Sequence, residues 1–479
     1  MTAIFLLIIS AFTRLYRLPE YFEFLGDQGR DLVIIRDFLV NHNLFFIGPQ
    51  TSIGNMYLGP FFYYLIAPSL WLARLSPLGP SIFVSLLGVA TTYLIYRFTK
   101  KDLGYFPALI SALLFAASPQ IIKYTSFSWN PNVAPFFSLL CLQFVYLYHQ
   151  NKSIKFLYLS VAMFCLALNT HYLTIILSVP ILLFALPRLI RQRQFLPLLI
   201  SLAIFVLFQI PLILFDIKHQ GQNFQAFFTF FTQRQTTVNL KVYKSIYQLP
   251  KVSTIFSQRI FAGKDLILGT VSLIYMLAGL AVYFFRRRFS SYFLLHLVTF
   301  FVGLVSLALY KQHIYDHYYG FMLPSAVIVF GYILVFLFRL SPITKVTSVL
   351  LLLLIAYSYF VNNHLRFPAP RHLQITTGIT DQIIKSSDGQ PFNFALLSKS
   401  NYDPPYTYLF LVNHAPYYHL RELHTQQLFV VCEPHPDINC QPINHPSWDI
   451  AAFGWAQITD QWTDNGRLIY RLTPNPTGQ

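Results

Sequence analysis

Residues 57–75 read YLGPFFYYLIAPSLWLARL, and the status of this stretch decides how the chain threads a bilayer. Other apolar segments run near 3–18, 80–98, 105–121, 133–149, 155–169, 172–189, 195–215, 266–285, 291–310, 318–338 and 345–361. If 57–75 is interfacial or re-entrant, about eleven spans remain. The basic clusters at Arg97, Lys100 and Lys101, at Lys152 and Lys155, at Arg188, Arg191 and Arg193, at Arg286, Arg287 and Arg288, and at Arg339 and Lys345 then all face the cytoplasm, as the positive-inside rule asks. If 57–75 spans, every later loop inverts and Arg286–Arg288 lies outside. The first reading satisfies the charge pattern. It puts the N-terminus inside and everything from about 362 outside. Arg14 and Arg17 are the exception, at the outer end of the first span, where long side chains snorkel or meet an anionic headgroup.

Composition agrees. Of 479 residues, 55% are hydrophobic and 11% charged, about half the charged share of a soluble protein. The class is therefore a polytopic α-helical membrane protein, placed in the plasma membrane. The net charge of +16 would suit nucleic acid, but its place in short loops between apolar runs assigns it to topology, so no nucleic-acid partner is expected. The N-terminal run has no basic leader and no small-residue cleavage site, and reads as a retained span.

Working outward from 57–75, the first outer loop covers 19–79 and holds Gly26-Asp27-Gln28-Gly29-Arg30-Asp31, which opens an amphipathic stretch ending near Asn41. Helical spacing puts Asp27, Arg30 and Asp31 on one face and Leu32, Ile35 and Leu39 on another. Such a helix lies in the membrane interface with its carboxylates toward water. Two readings of Asp27 coexist: a helix N-cap after Gly26, or a general base for an acceptor hydroxyl.

Further outward segments carry candidate binding groups. Residues 119–132 combine Lys123 with Trp129, Asn130 and Asn132. Trp129 suits stacking on a sugar ring or the interfacial aromatic belt. Asn130 and Asn132 suit sugar hydroxyls or the turn around Pro131. His171 sits in a short outward turn. The loop 311–319 holds Lys311, His313, His317 and Tyr318, whose cations suit a leaving phosphate. No Gly-rich phosphate loop, nucleophile elbow or zinc spacing is present. No cofactor is required by the sequence: few carboxylates converge outside, so a tightly held divalent metal is not required, though one is not excluded.

Residues 362–479 form a separate extracytoplasmic domain of α/β or α+β type. Phe392–Leu397, Leu428–Val431 and Leu468–Leu472 read as buried strands, and Leu373–Ile384 as a helix. Cys432 and Cys440 suit a disulfide if this tail meets an oxidising compartment. Residues 1–361 form the transmembrane domain.

At these residues the chain resembles the polyprenyl-phosphate-dependent glycosyltransferases of GT-C fold, in the protein O-mannosyltransferase and aminoarabinose transferase superfamily (family 39-like). The resemblance rests on the order of the acidic loop motif, Gly59-Pro60-Phe61-Phe62-Tyr63-Tyr64, Ser118-Pro119, and His317-Tyr318-Tyr319 with Pro324, and it covers about 1–340. It implies that Asp27 is the catalytic base and that a sugar moves with inversion from a polyprenyl phosphate to a protein, lipid or glycan acceptor on the outer face. By their outward placement, Arg30, Asp31, Lys123, Trp129, Asn130, His171, Lys311, His313, His317 and Tyr318 are expected to serve binding. The sequence departs from the family at Gln28, where an acid is frequent, and at Asn130, which cannot act as a base. A lipid or glycan flippase is the competing reading, but repeat symmetry and broken midplane helices are not visible.

Overall fold

The computed structural model describes residues 1–51, 54, 56–232, 241, 243, 245–286, 289–433 and 435–475. Arg287 and Arg288 lie outside these residues. Among the described residues, eight helices are long and apolar enough to cross a bilayer: Leu78–Leu103, Asn130–Asn151, Tyr172–Arg191, Phe195–Lys218, Leu266–Arg286, Ser291–Ala308, Asp316–Phe338 and Pro342–Val361. Thr2–Leu15, Tyr105–Ala117 and Ile154–Leu168 are shorter apolar helices at the other expected spans. The Phe195–Lys218 helix buries none of its apolar window against protein; a helix of that composition is stable only where lipid covers it.

The stretch that decides topology forms a 12-residue helix, Phe61–Leu72, with Pro68 inside it. At 1.5 Å per residue it rises roughly 18 Å, well short of the ~30 Å hydrocarbon layer. Phe62, Ile66 and Leu70, four residues apart, are fully buried, while Trp71 and Leu72 are exposed.

Contacts sort the chain into two units. The first comprises Met1–Tyr16, Phe45–Ile66 and Pro80–Pro368. Within it Arg14 corrects an expectation. It does not snorkel: it is 1% exposed, and its guanidinium donates to the carbonyls of Ser10, Phe115 and Ala116 and to the hydroxyls of Ser10, Thr13 and Thr125. A buried guanidinium is tolerated when its donors are matched in this way. Gly59, of the Gly-Pro motif, also has a packing reason. A Cβ there would lie 1.6 Å from Asn169 Oδ1, so the loop needs glycine to approach the turn that carries His171.

The second unit comprises Arg17–Leu44, Ala67–Gly79 and Ala369–Gln479. Its sheet contains β1 (Asn393–Leu397), β2 (Leu428–Cys432), β3 (Ala456–Asp464) and β4 (Arg467–Pro474), in the order β1-β2-β4-β3. β1 pairs parallel to β2, and β4 runs antiparallel to both β2 and β3. Ile379 and Ile383 from the helix His372–Ser386, with Tyr406 and Phe410 from the helix Pro404–Val412, cover one face. Ile450 and Phe453 cover the other. Cys432, at the end of β2, is disulfide-bonded to Cys440.

The amphipathic stretch is the helix Gly26–Asn41, which packs on Pro404–Val412. The approach is close: a Cβ on Gly29 would lie 2.2 Å from the Pro405 backbone nitrogen. Backbone cannot yield as a flexible side chain does. Gly29→Ala is therefore expected to lower the melting temperature measurably, in the overpacking range of about 1–3 kcal/mol. An unchanged melting curve in detergent would contradict this packing.

Candidate active site

The first candidate group sits at the start of the Gly26–Asn41 helix, in the second unit. Gln28 Oε1 accepts from the Leu25 amide at 3.1 Å, and Leu25, not Asp27, is the N-cap. The capping reading of Asp27 is thereby corrected. Asp27 lies in the first turn with its side chain 43% exposed, where the helix dipole favours negative charge. Asp31 corrects a second expectation. It does not face water but is 2% exposed, because Gln28, Asp31, Leu32 and Ile35 follow the i, i+3, i+4, i+7 stripe of the buried face. Arg30 links the two acids. Its Nη1 donates to Asp27 Oδ1 at 2.9 Å, and its Nε and Nη2 donate to Asp31 Oδ1 at 3.0 and 2.8 Å. The buried acid thus holds Arg30, and Arg30 holds the exposed acid.

The second group is an aromatic and histidine network in the first unit. The Trp129 ring meets His317 edge-on at 4.5 Å. His317 lies 5.6 Å from His171 and 4.7 Å from Tyr318, and His171 lies 5.3 Å from Tyr318. Tyr315 stacks on His317 at 5.7 Å and carries His313 at 4.7 Å. Lys123 is exposed, with its ammonium 5.7 Å from the Tyr124 ring, and Tyr124 stacks toward Trp129 at 6.4 Å. Ring contacts therefore connect Lys123, Trp129, His171, His313, His317 and Tyr318.

His171 and Asn130 each make a structural hydrogen bond. His171 Nδ1 accepts from the Leu173 amide at 3.2 Å, which leaves the proton on Nε2. Burial, and then the adjoining His317, hold the His171 imidazole well below its ordinary value, so at neutral pH it offers a hydrogen bond and no charge. Asn130 is buried, and its amide donates to the Thr170 carbonyl at 2.7 Å. Asn132 donates to the Phe127 carbonyl at 2.9 Å. The Asn132 bond supports its turn-forming reading, whereas Asn130 ties this segment to the turn that carries His171.

Beside the network lies a cavity of about 710 Å³. Gln248, Lys251, Val252, Ile255 and Arg259 line it as one stripe of the helix Ser245–Phe261, and Tyr310, Lys311, Gln312 and His313 line it from the opposite segment. Arg259 forms an ion pair with Asp316, whose side chain is 10% exposed. Asp316 also accepts from the Gln120 amide. Sequence reasoning found Lys311 and His313 but missed Lys251 and Arg259. Their spacing is helical, and the stripe 248, 251, 252, 255, 259 was the available signal. Among the described residues no three His, Cys, Asp or Glu side chains are grouped to hold a metal.

Residues 58–214 match the dolichyl-phosphate-mannose-protein mannosyltransferase family. No protein of curated function matches the sequence. The structure is similar to ArnT from Cupriavidus metallidurans bound to undecaprenyl phosphate, with TM-score 0.64 and 13% identity over 98% of this chain and 97% of that one. It is also similar to the archaeal oligosaccharyltransferase AglB from Archaeoglobus fulgidus, in complex with an inhibitory peptide and a dolichol-phosphate. There the TM-score is 0.54 at 13% identity, over 90% of this chain and 69% of that one. The arabinofuranosyltransferase AftD from Mycobacteria gives 0.51 at 12% identity, over 100% of this chain and 41% of that one.

Proposed function

We propose that this chain, whose fold is that of the GT-C polyprenyl-phosphate-dependent glycosyltransferases, transfers a sugar from a polyprenyl-phosphate donor to an acceptor hydroxyl on the outer face of the membrane, with inversion and with Asp27 as general base. The observation that carries the reading is the division of labour at the Gly26–Asn41 helix. Gln28 caps, Asp31 is buried, and Asp27 alone of the three presents its carboxylate to solvent while held by Arg30.

In this mechanism the acceptor oxygen attacks the anomeric carbon as its proton passes to Asp27. The bond from that carbon to the phosphate oxygen breaks, and polyprenyl phosphate leaves as an anion. It needs cations rather than an acid. Within the first unit, Lys251, Arg259, Lys311 and His313 around the 710 Å³ cavity offer cations suited to a phosphate, and Lys123 is a further exposed cation of that unit. Trp129, His317 and Tyr318 supply rings suited to the apolar face of a sugar, and His171 a neutral hydrogen bond. The protein in lipid, given a panel of polyprenyl-phosphate sugars, is expected to release polyprenyl phosphate from one of them. Absence of release from every donor, in a preparation that binds undecaprenyl phosphate, overturns the transferase reading in favour of transport.

The outer-face assignment has its own test. The positive-inside pattern puts Lys385 outside and Arg286 inside; both are exposed. A cysteine at Lys385 should be labelled by an impermeant reagent in intact cells, and one at Arg286 only after permeabilisation. The reverse pattern would invert the topology.

A further inference from the structure

Besides the packing of Pro404–Val412 on the Gly26–Asn41 helix, one tail-domain side chain bonds the backbone at the start of that helix, and this gives the domain a role. Asn401 Oδ1 accepts from the Gly26 amide at 3.1 Å and from the Tyr402 amide at 2.9 Å. Gly26 immediately precedes Asp27. Asn401 is 7% exposed and is itself fixed. Its Nδ2 donates to Glu433 Oε1 at 3.3 Å, and its backbone amide donates to Ser398 Oγ at 3.2 Å. Ser398 in turn donates to Glu433 Oε2 at 2.7 Å, and Arg467 Nε to Glu433 Oε1 at 3.2 Å. Glu433 follows Cys432 of the disulfide, and its amide donates to the Leu397 carbonyl at 2.9 Å. The space around Gly26 is closed as well: a Cβ there would lie 2.3 Å from the Tyr402 ring.

From this chain of contacts we infer that Asn401 is a positioning residue for Asp27, held by the Ser398–Glu433–Arg467 hub of the tail domain, so that the domain sets the geometry of the base-bearing helix. The inference rests on the role proposed for Asp27. Its physical basis is that an amide of the first helical turn has no partner within the helix. A buried side chain that satisfies it fixes where the turn begins, and so where the next side chain projects. A catalytic group displaced by about 1 Å loses up to 10²-fold in rate.

Two measurements on the full chain test it. The first is hydrogen–deuterium exchange. Asn401→Ala should raise exchange in the peptide covering 24–31 and leave β1, β2 and β4 protected. Asn401→Asp combined with Glu433→Gln, which keeps the accepting oxygen at 401 and lets the amide at 433 donate to it, should restore protection. Unchanged exchange at 24–31, or a rise spread equally over the strands, overturns the inference. The second is a double-mutant cycle on polyprenyl phosphate release. Asn401→Ala should lower kcat about 10- to 100-fold with an unchanged KM for donor, and should cause no further loss in the Asp27→Asn background. An equal loss in both backgrounds shows that Asn401 does not act through Asp27. If Asp27→Asn is itself fully active, the base reading fails while the exchange measurement still decides whether Asn401 clamps the helix.

Discussion

Asp27→Asn is expected to slow polyprenyl phosphate release about 10²–10⁴-fold, the range for removing a general base, while donor binding and melting temperature barely change. The substitution keeps size and hydrogen-bonding capacity and removes basicity. It leaves the helix cap intact, because that bond belongs to Gln28. It also leaves the Arg30 bonds to Asp31 intact. The pair that it breaks is part-exposed, with side chains 33% and 43% accessible, and such pairs contribute at most about 1 kcal/mol. Asp31→Asn makes the contrast. Its side chain is 3% exposed and anchors Arg30, so its loss should lower the melting temperature as well as the rate. Release by Asp27→Asn at the native rate, in protein that still binds donor, would remove Asp27 from the chemistry.

Arg259→Gln is expected to weaken binding of undecaprenyl phosphate about 10- to 100-fold. Hydrogen bonds to charged groups contribute about 1.5–3 kcal/mol, and each 1.4 kcal/mol is tenfold in Kd. The variant also strands Asp316, whose side chain is only 10% exposed, so a fall in melting temperature accompanies it. The double variant with Asp316→Asn separates the effects. Removing the stranded charge should restore stability but not affinity. Lys311→Gln should have a smaller effect, because Lys311 is exposed and solvent screens it. Native affinity in the Arg259→Gln/Asp316→Asn protein would show that the cavity does not hold the phosphate.

Much of the molecule was legible before any coordinates. Apolar run length marks a helix that must sit in lipid, and the eleven expected segments coincide with helices. The amphipathic stretch from Gly26 to Asn41 is a helix with those limits, and three of the four tail strands lie at the segments read as short buried strands. The missed strand, Ala456–Asp464, is the exposed edge of the sheet. One exposed face and one thin contact leave no apolar period to read. Its signal was the Asn465-Gly466 pair, both at positive φ, which closes a tight hairpin.

The sequence by itself determined that this is a membrane protein, that its cations cluster at the ends of the apolar runs, and that an acidic helix follows the first span. These properties follow from transfer free energy and helical periodicity, which act residue by residue along the chain. Only the tertiary structure decided that Asp31 is buried while Asp27 is exposed, that Gln28 is the capping side chain, that Arg14 is satisfied by carbonyls from a distant helix, and that Asn401 holds the Gly26 amide. All but the Gln28 cap, a bond across three residues, depend on a partner far away in the chain: 375 residues separate Gly26 from Asn401. A helix's local pattern says which residues share a face, but which part of that face meets water is set by what packs against it. Here the partner is the Pro404–Val412 helix, whose close approach Gly29 permits.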